Sequence, residues 1–118
     1  MRLREYETRL AAAMRADDPV AAMRAIHPAV DGDGVQMAAL LIARLRFERL
    51  LRGSPAAESW FDRDPADFAR AFRRYHAEVA PSAFFPADEA ALFAAWRKRS
   101  AATLPARSRI VAPRRRRR

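Results

Sequence analysis

Apolar positions recur at helical spacing along most of the chain. Between Met1 and Ala16, Leu3, Tyr6, Leu10 and Met14 fall on one side of a helical wheel, with Arg2, Arg4, Arg9 and Arg15 elsewhere around it. This pattern predicts an amphipathic helix with one buried stripe. Asp17-Asp18-Pro19 then places an acidic cap before a proline at the first helical position, and Val20, Met23 and Ile26 follow at three-residue steps toward a stop near His27-Pro28. From Val35 to Leu51 the apolar residues Val35, Met37, Leu40, Leu41, Ile42, Leu45, Phe47, Leu50 and Leu51 spread around most of the wheel. A helix apolar on nearly all sides is expected at the centre of the fold, packed on several sides, with Arg44, Arg46, Glu48, Arg49 and Arg52 reaching the rim on long stems. Gly53 is expected to supply its C-terminal stop.

Three further starts are marked by proline: Ser54-Pro55, Asp64-Pro65 and Phe85-Pro86. After the second, Asp67 sits in the first turn, Phe68, Phe72, Tyr75 and Val79 repeat at helical steps, and the helix is expected to end before Pro81. After the third, Asp88 and Glu89 complement a helix N-terminus and Leu92, Phe93 and Trp96 form the apolar face, with fraying near Arg99. Beyond Ser100 the pattern stops, apart from one short β-like run at Ile110-Val111. The fold class read from this pattern is all-α: a compact bundle of about five to six short helices around a central helix. Residues 1–100 form the helical domain, and residues 101–118 form a basic tail expected to be largely disordered, at least from Pro113 onward.

Composition narrows the function classes. A chain of 118 residues supports one core. Although 51% of it is apolar, no run approaches the ~20 residues of a membrane span, and no apolar segment of the signal-peptide kind follows Arg2 and Arg4. A soluble cytoplasmic protein with no membrane partner is the expectation. The absence of cysteine excludes disulfides, thiolate metal sites and a cysteine nucleophile. Asp31-Gly32-Asp33-Gly34 lacks the later oxygen ligands and closing glutamate of a calcium loop, so it reads as a turn before a helix. His27 and His76 belong to no metal-ligand spacing, and the pairs Asp62/Asp64 and Asp64/Asp67 read as helix caps. No catalytic residue, metal ligand or cofactor site is assigned to this chain.

The net charge of +9 is unevenly distributed. Residues 97–118 carry ten cations and no acid, which leaves thirteen cations against fourteen acids in residues 1–96, a net of −1. Arg114 through Arg118 alone could bind phosphates without reading bases, which defines the alternative reading: a small helical nucleic-acid-binding protein acting through its tail. Aromatic residues are also uneven. Nine of the eleven lie between positions 60 and 96, more than a small core readily hides, so one or two are expected to face a partner.

The stretch Trp60-Phe61-Asp62-Arg63-Asp64-Pro65, then Phe68, Ala71-Phe72-Arg73-Arg74-Tyr75-His76 and Pro81-Ser82-Ala83-Phe84-Phe85-Pro86, resembles the small partner proteins of multinuclear non-heme iron oxidative enzymes in ribosomal peptide natural-product biosynthesis. The similar region runs from about Leu50 to Trp96. The resemblance implies a non-catalytic subunit that forms a heterodimer with a TIM-barrel enzyme. That enzyme holds the iron and oxidatively modifies a precursor peptide, commonly at cysteine. The subunit's implied work is to stabilise the enzyme and to recruit or orient the leader peptide. Many such partners carry a winged-helix-like module with β-strands, whereas this chain shows almost no strand pattern; helix-groove recognition or strand addition by Arg109 to Ala112 would take its place. On this reading Trp60, Phe61, Phe84, Phe85 and Trp96 form the partner interface, and Arg73, Arg74, Tyr75, His76 and Arg109 make polar contacts to the enzyme or the peptide.

Overall fold

Capping side chains divide the chain into its helices. In the computed structural model, which describes residues 2–103, six helices follow one another: α1 (Leu3–Met14), α2 (Pro19–Ile26), α3 (Gly32–Gly53), α4 (Pro55–Arg63), α5 (Pro65–Glu78) and α6 (Pro86–Thr103). The expected all-α bundle around a central helix is what the described residues form. α6 continues through Thr103, past the fraying expected near Arg99 and the tail boundary expected at residue 101; the rest of the expected disordered tail and the Arg109 contact lie outside the described residues. At each of four helix starts a short polar side chain accepts a hydrogen bond from an otherwise unpaired backbone N–H. Asp18 receives Ala21 N at 3.1 Å, Asp31 receives Gly34 N at 3.2 Å, Ser54 receives Ala57 N at 3.0 Å and Asp64 receives Asp67 N at 3.2 Å. Asp31-Gly32-Asp33-Gly34 is therefore the capped first turn of α3, which begins three residues earlier than its apolar pattern.

α3 joins two apolar clusters. At its N-terminal end Val35 packs with Ala13 and Met23, tying α1 and α2 to the bundle. Toward its C-terminal end Leu50 packs with Ala57, Phe68, Phe72, Tyr75, Phe93 and Trp96, drawn from α4, α5 and α6. Phe47 stands at the middle of this second cluster, edge-on to Phe61 and Phe68 at 5.5 Å each and to Phe72 at 5.1 Å. Edge-to-face pairs align the positive ring edge with the negative face of the neighbour, at about 0.5–1.5 kcal/mol per pair beyond burial.

Gly53 works differently from the expected helix stop. No glycine here has a positive φ, so its backbone needs no left-handed conformation. A Cβ at this position would instead collide with the backbone of Pro86, where α6 begins against the end of α3. A bare Cα lets the two chains approach.

α3 also departs from the expectation of a helix packed on all sides. Met37, Leu40, Leu41 and Leu45 are 68%, 57%, 55% and 52% exposed, because the neighbouring helices cover only the side bearing Val35, Ala39, Arg46 and Leu50. Among the described residues no helix is long and apolar enough to cross a membrane.

Candidate functional site

The interior of the second cluster holds a charged knot. Glu89, in the first turn of α6, is fully buried. Its Oε2 accepts from Arg46 Nε of α3 at 2.8 Å and from the Tyr75 hydroxyl of α5, while Oε1 accepts from Arg49 Nε at 3.1 Å. Arg46 is 1% exposed, contrary to the expected rim position, and its guanidinium also lies 4.3 Å from the centre of the Tyr75 ring. Burial by itself would raise the Glu89 pKa, but the hydrogen bonds from Tyr75 and Arg46, with the Arg46 charge, outweigh it and hold the carboxyl below its ordinary range. Burial, reinforced by the bond to Glu89, pushes the Tyr75 hydroxyl up. Glu89 is thus an ionised acceptor and Tyr75 a neutral donor.

Arg46, together with Arg15 at the end of α1, also finishes α5. Its last carbonyls lack intrahelical partners. Arg15 Nη1 donates to His76 O and Ala77 O at 3.0 Å each, and Arg46 Nη1 donates to Val79 O at 2.5 Å. Both cations also sit at the negative end of the helix dipole. Arg46 Nη1 lies 3.3 Å from His76 Nδ1. A guanidinium can only donate, so Nδ1 is the accepting nitrogen and the ring proton resides on Nε2. His76 is 7% exposed and stacks on Phe72 at 5.6 Å. Burial first, then the Arg46 and Arg15 charges, pushes its pKa down to about 4, so the ring is neutral at pH 7.

The residues expected at a partner interface separate into two groups. Trp96 is 5% exposed, with Nε1 donating to Glu78 Oε1 at 2.7 Å. Trp60 and Phe61 are half-buried on the core; Trp60 Nε1 donates to Asp67 at 3.0 Å, and Arg97 covers its ring at 4.4 Å. Trp96 thus lies inside the core, and Trp60 and Phe61 pack against it partly exposed. Phe84 and Phe85, in the link between α5 and α6, stay 87% and 67% exposed. Among the expected polar contacts Arg73 and Arg74 are exposed on α5, whereas Tyr75 and His76 face inward. The Tyr75 hydroxyl is taken by Glu89 and His76 Nδ1 by Arg46, while His76 Nε2 has no partner. His27, the other histidine, caps α2 and hydrogen-bonds the Tyr6 hydroxyl.

Besides the exposed Phe84-Phe85 link, two further surfaces stand open among the described residues. One is the apolar side of α3, which sequence reasoning missed. Its signal was the placement of Arg44, Glu48 and Arg52 on the same side of the wheel as Met37, Leu41 and Leu45. The other is a cleft beside α5. A pocket of about 210 Å³ is walled in part by Arg15, Asp17, Leu40, Phe72, Arg73 and His76. A neighbouring pocket of about 370 Å³ shares Asp17 and Arg73 with it and adds Arg70, Arg74 and Glu78. Comparison of the chain with protein-family models, with curated proteins and with solved structures found no match.

Proposed function

We propose that this chain is a non-catalytic partner subunit of an iron-dependent oxidative enzyme of TIM-barrel architecture, and that it helps recruit or orient a precursor peptide for modification, commonly at cysteine. The observation that carries the reading is the open side of α3, where Met37, Leu40, Leu41 and Leu45 are all more than half exposed. Large side chains at i, i+3, i+4 and i+8 form a continuous apolar strip, which a free monomer rarely presents to water and which a partner's surface would cover. Support of a second kind comes from the motif between Trp60 and Pro86, on which the resemblance to such partner proteins rests. Phe84 and Phe85 belong to that motif and are exposed, and they add a second apolar contact.

The test is a pull-down of the full tagged chain from its host at moderate and high salt with nuclease present, read by mass spectrometry and elemental analysis. The expected result is one stoichiometric partner of barrel-enzyme size that brings iron and survives high salt. Leu41→Glu combined with Leu45→Glu should lose that partner while keeping the helical circular dichroism. Recovery of nucleic acid alone, abolished by high salt and by deletion of residues 107–118, would overturn the reading in favour of phosphate binding by the seven tail arginines.

A further inference from the structure

We propose that the cleft beside α5 is a carboxylate-binding site, with Arg73 as its accessible cation and with Arg15 and His76 as donors at its base. Three observations converge on it. Arg73 walls both pockets of the cleft, is exposed, and has no hydrogen-bond or ion-pair partner among the described residues. His76 Nε2 and Arg15 Nε are buried without a hydrogen-bond partner, and both residues wall the inner pocket. Because Arg46 donates to Nδ1, the His76 Nε2 must carry a proton, so both orphans are donors and both lack an acceptor. A buried unpaired donor costs about 1–3 kcal/mol, a penalty that an acceptor reaching it would relieve.

Charge selects the kind of oxygen. In the inner pocket the cations Arg15 and Arg73 face the single acid Asp17, leaving one positive charge for a monoanion to match. In the outer pocket Arg70 is engaged by Asp67, and Arg73 and Arg74 face Asp17 and Glu78, whose bond from the neutral Trp96 indole leaves its charge in place, so the cation excess is confined to the inner pocket. This excess stands on a body whose residues 1–96 sum to −1, so it is a local arrangement and not a reflection of overall basicity. The inner walls, with Leu40 and Phe72, suit the methylene groups behind a carboxylate. An acidic peptide side chain as the source deepens the function proposed above and rests on it; a free organic carboxylate does not.

The experiment follows the Nε–H resonances of Arg73 and Arg15 and the His76 ring in the full chain. Three probes are added separately: an N-acetylated glutamyl-glutamate amide, its glutaminyl counterpart, and succinate. Saturable shifts with the glutamyl probe and none with the glutaminyl one are expected. Arg73→Ala, at an exposed position without side-chain partners, should weaken the glutamyl probe by about tenfold or more, while Arg52→Ala, which removes the same charge from α3 outside the cleft, should change it by less than about twofold. Saturation by succinate alone would support the site and assign a free carboxylate as its ligand. Equal losses in the two arginine variants, or no saturable shift with any probe, would overturn the proposal. Since the chain is tested by itself, the outcome is independent of whether an oxidative enzyme is captured in the pull-down.

Discussion

Arg46 and Glu89 stand 43 residues apart and meet at 2.8 Å in the interior of the molecule, each with 1% or less of its side chain exposed. The pair joins the middle of α3 to the first turn of α6 and organises everything around it: Tyr75 and Arg49 complete the carboxylate, Val79 O and His76 Nδ1 take Arg46 Nη1, and Arg46 Nη2 is buried without a partner. Breaking a buried pair leaves an uncompensated charge, usually a larger effect than the pair's own net contribution. Glu89→Ala is therefore expected to destabilise the fold by about 3–5 kcal/mol in chemical denaturation. Arg49→Ala, at the solvent-facing edge of the same knot, should lose about 1 kcal/mol or less. Equal effects would show that the knot has no dry interior.

Acid should weaken the fold through His76. Its ring is enclosed by Phe72 and Arg46, with Arg15 and Glu89 as the other charges acting on it. Burial and the two arginines hold its pKa at about 4 in the folded chain, below the ordinary 6.5 of the unfolded one. Between these values the unfolded chain binds more protons, so stability rises with pH across the window and is lost as pH falls from 6.5 through 4. Glu89, whose folded pKa is also depressed, adds to the loss below its ordinary 4.5. Thermal midpoints measured from pH 7 to pH 4 should fall, and His76→Gln should flatten the upper part of that slope. An unchanged slope in the variant would remove His76 as the cause.

Gly53→Ala offers a test of the close approach between α3 and α6. Helix propensity alone would favour alanine by about 1 kcal/mol. Against this, the new Cβ meets the Pro86 backbone, which cannot yield as a flexible side chain can. A net destabilisation of about 1–3 kcal/mol is expected from overpacking, measured by urea unfolding. A stabilised variant would mean that α6 does not sit so close.

Substitutions on the open apolar surface should separate folding from recognition. Leu41→Glu and Phe84→Ala alter side chains that are 55% and 87% exposed, so each should change monomer stability by no more than about 0.5 kcal/mol. Trp96→Ala, by contrast, empties a site that is 5% exposed and should cost about 3–5 kcal/mol. If the partner reading is right, the two surface variants lose complex formation at unchanged thermal midpoint. Retained binding by both would place the interface elsewhere.

What the sequence determined by itself is local. Asp18, Asp31, Ser54 and Asp64, with the prolines that follow three of them, set helix starts because a cap and its N–H lie within three residues of each other. The repeat of Phe68, Phe72 and Tyr75 placed the buried stripe of α5 for the same reason, since helical periodicity is a property of neighbours along the chain. Tertiary structure decided the rest. Glu89 looked like a dipole complement and became the centre of the knot, because its partners Arg46, Arg49 and Tyr75 lie 43, 40 and 14 residues away. Leu41 and Arg46 illustrate the limit most sharply. Periodicity assigns both to α3 but does not say which side its neighbours will cover, and the packing of α2, α4 and α6 left the leucine in water and took the arginine inside.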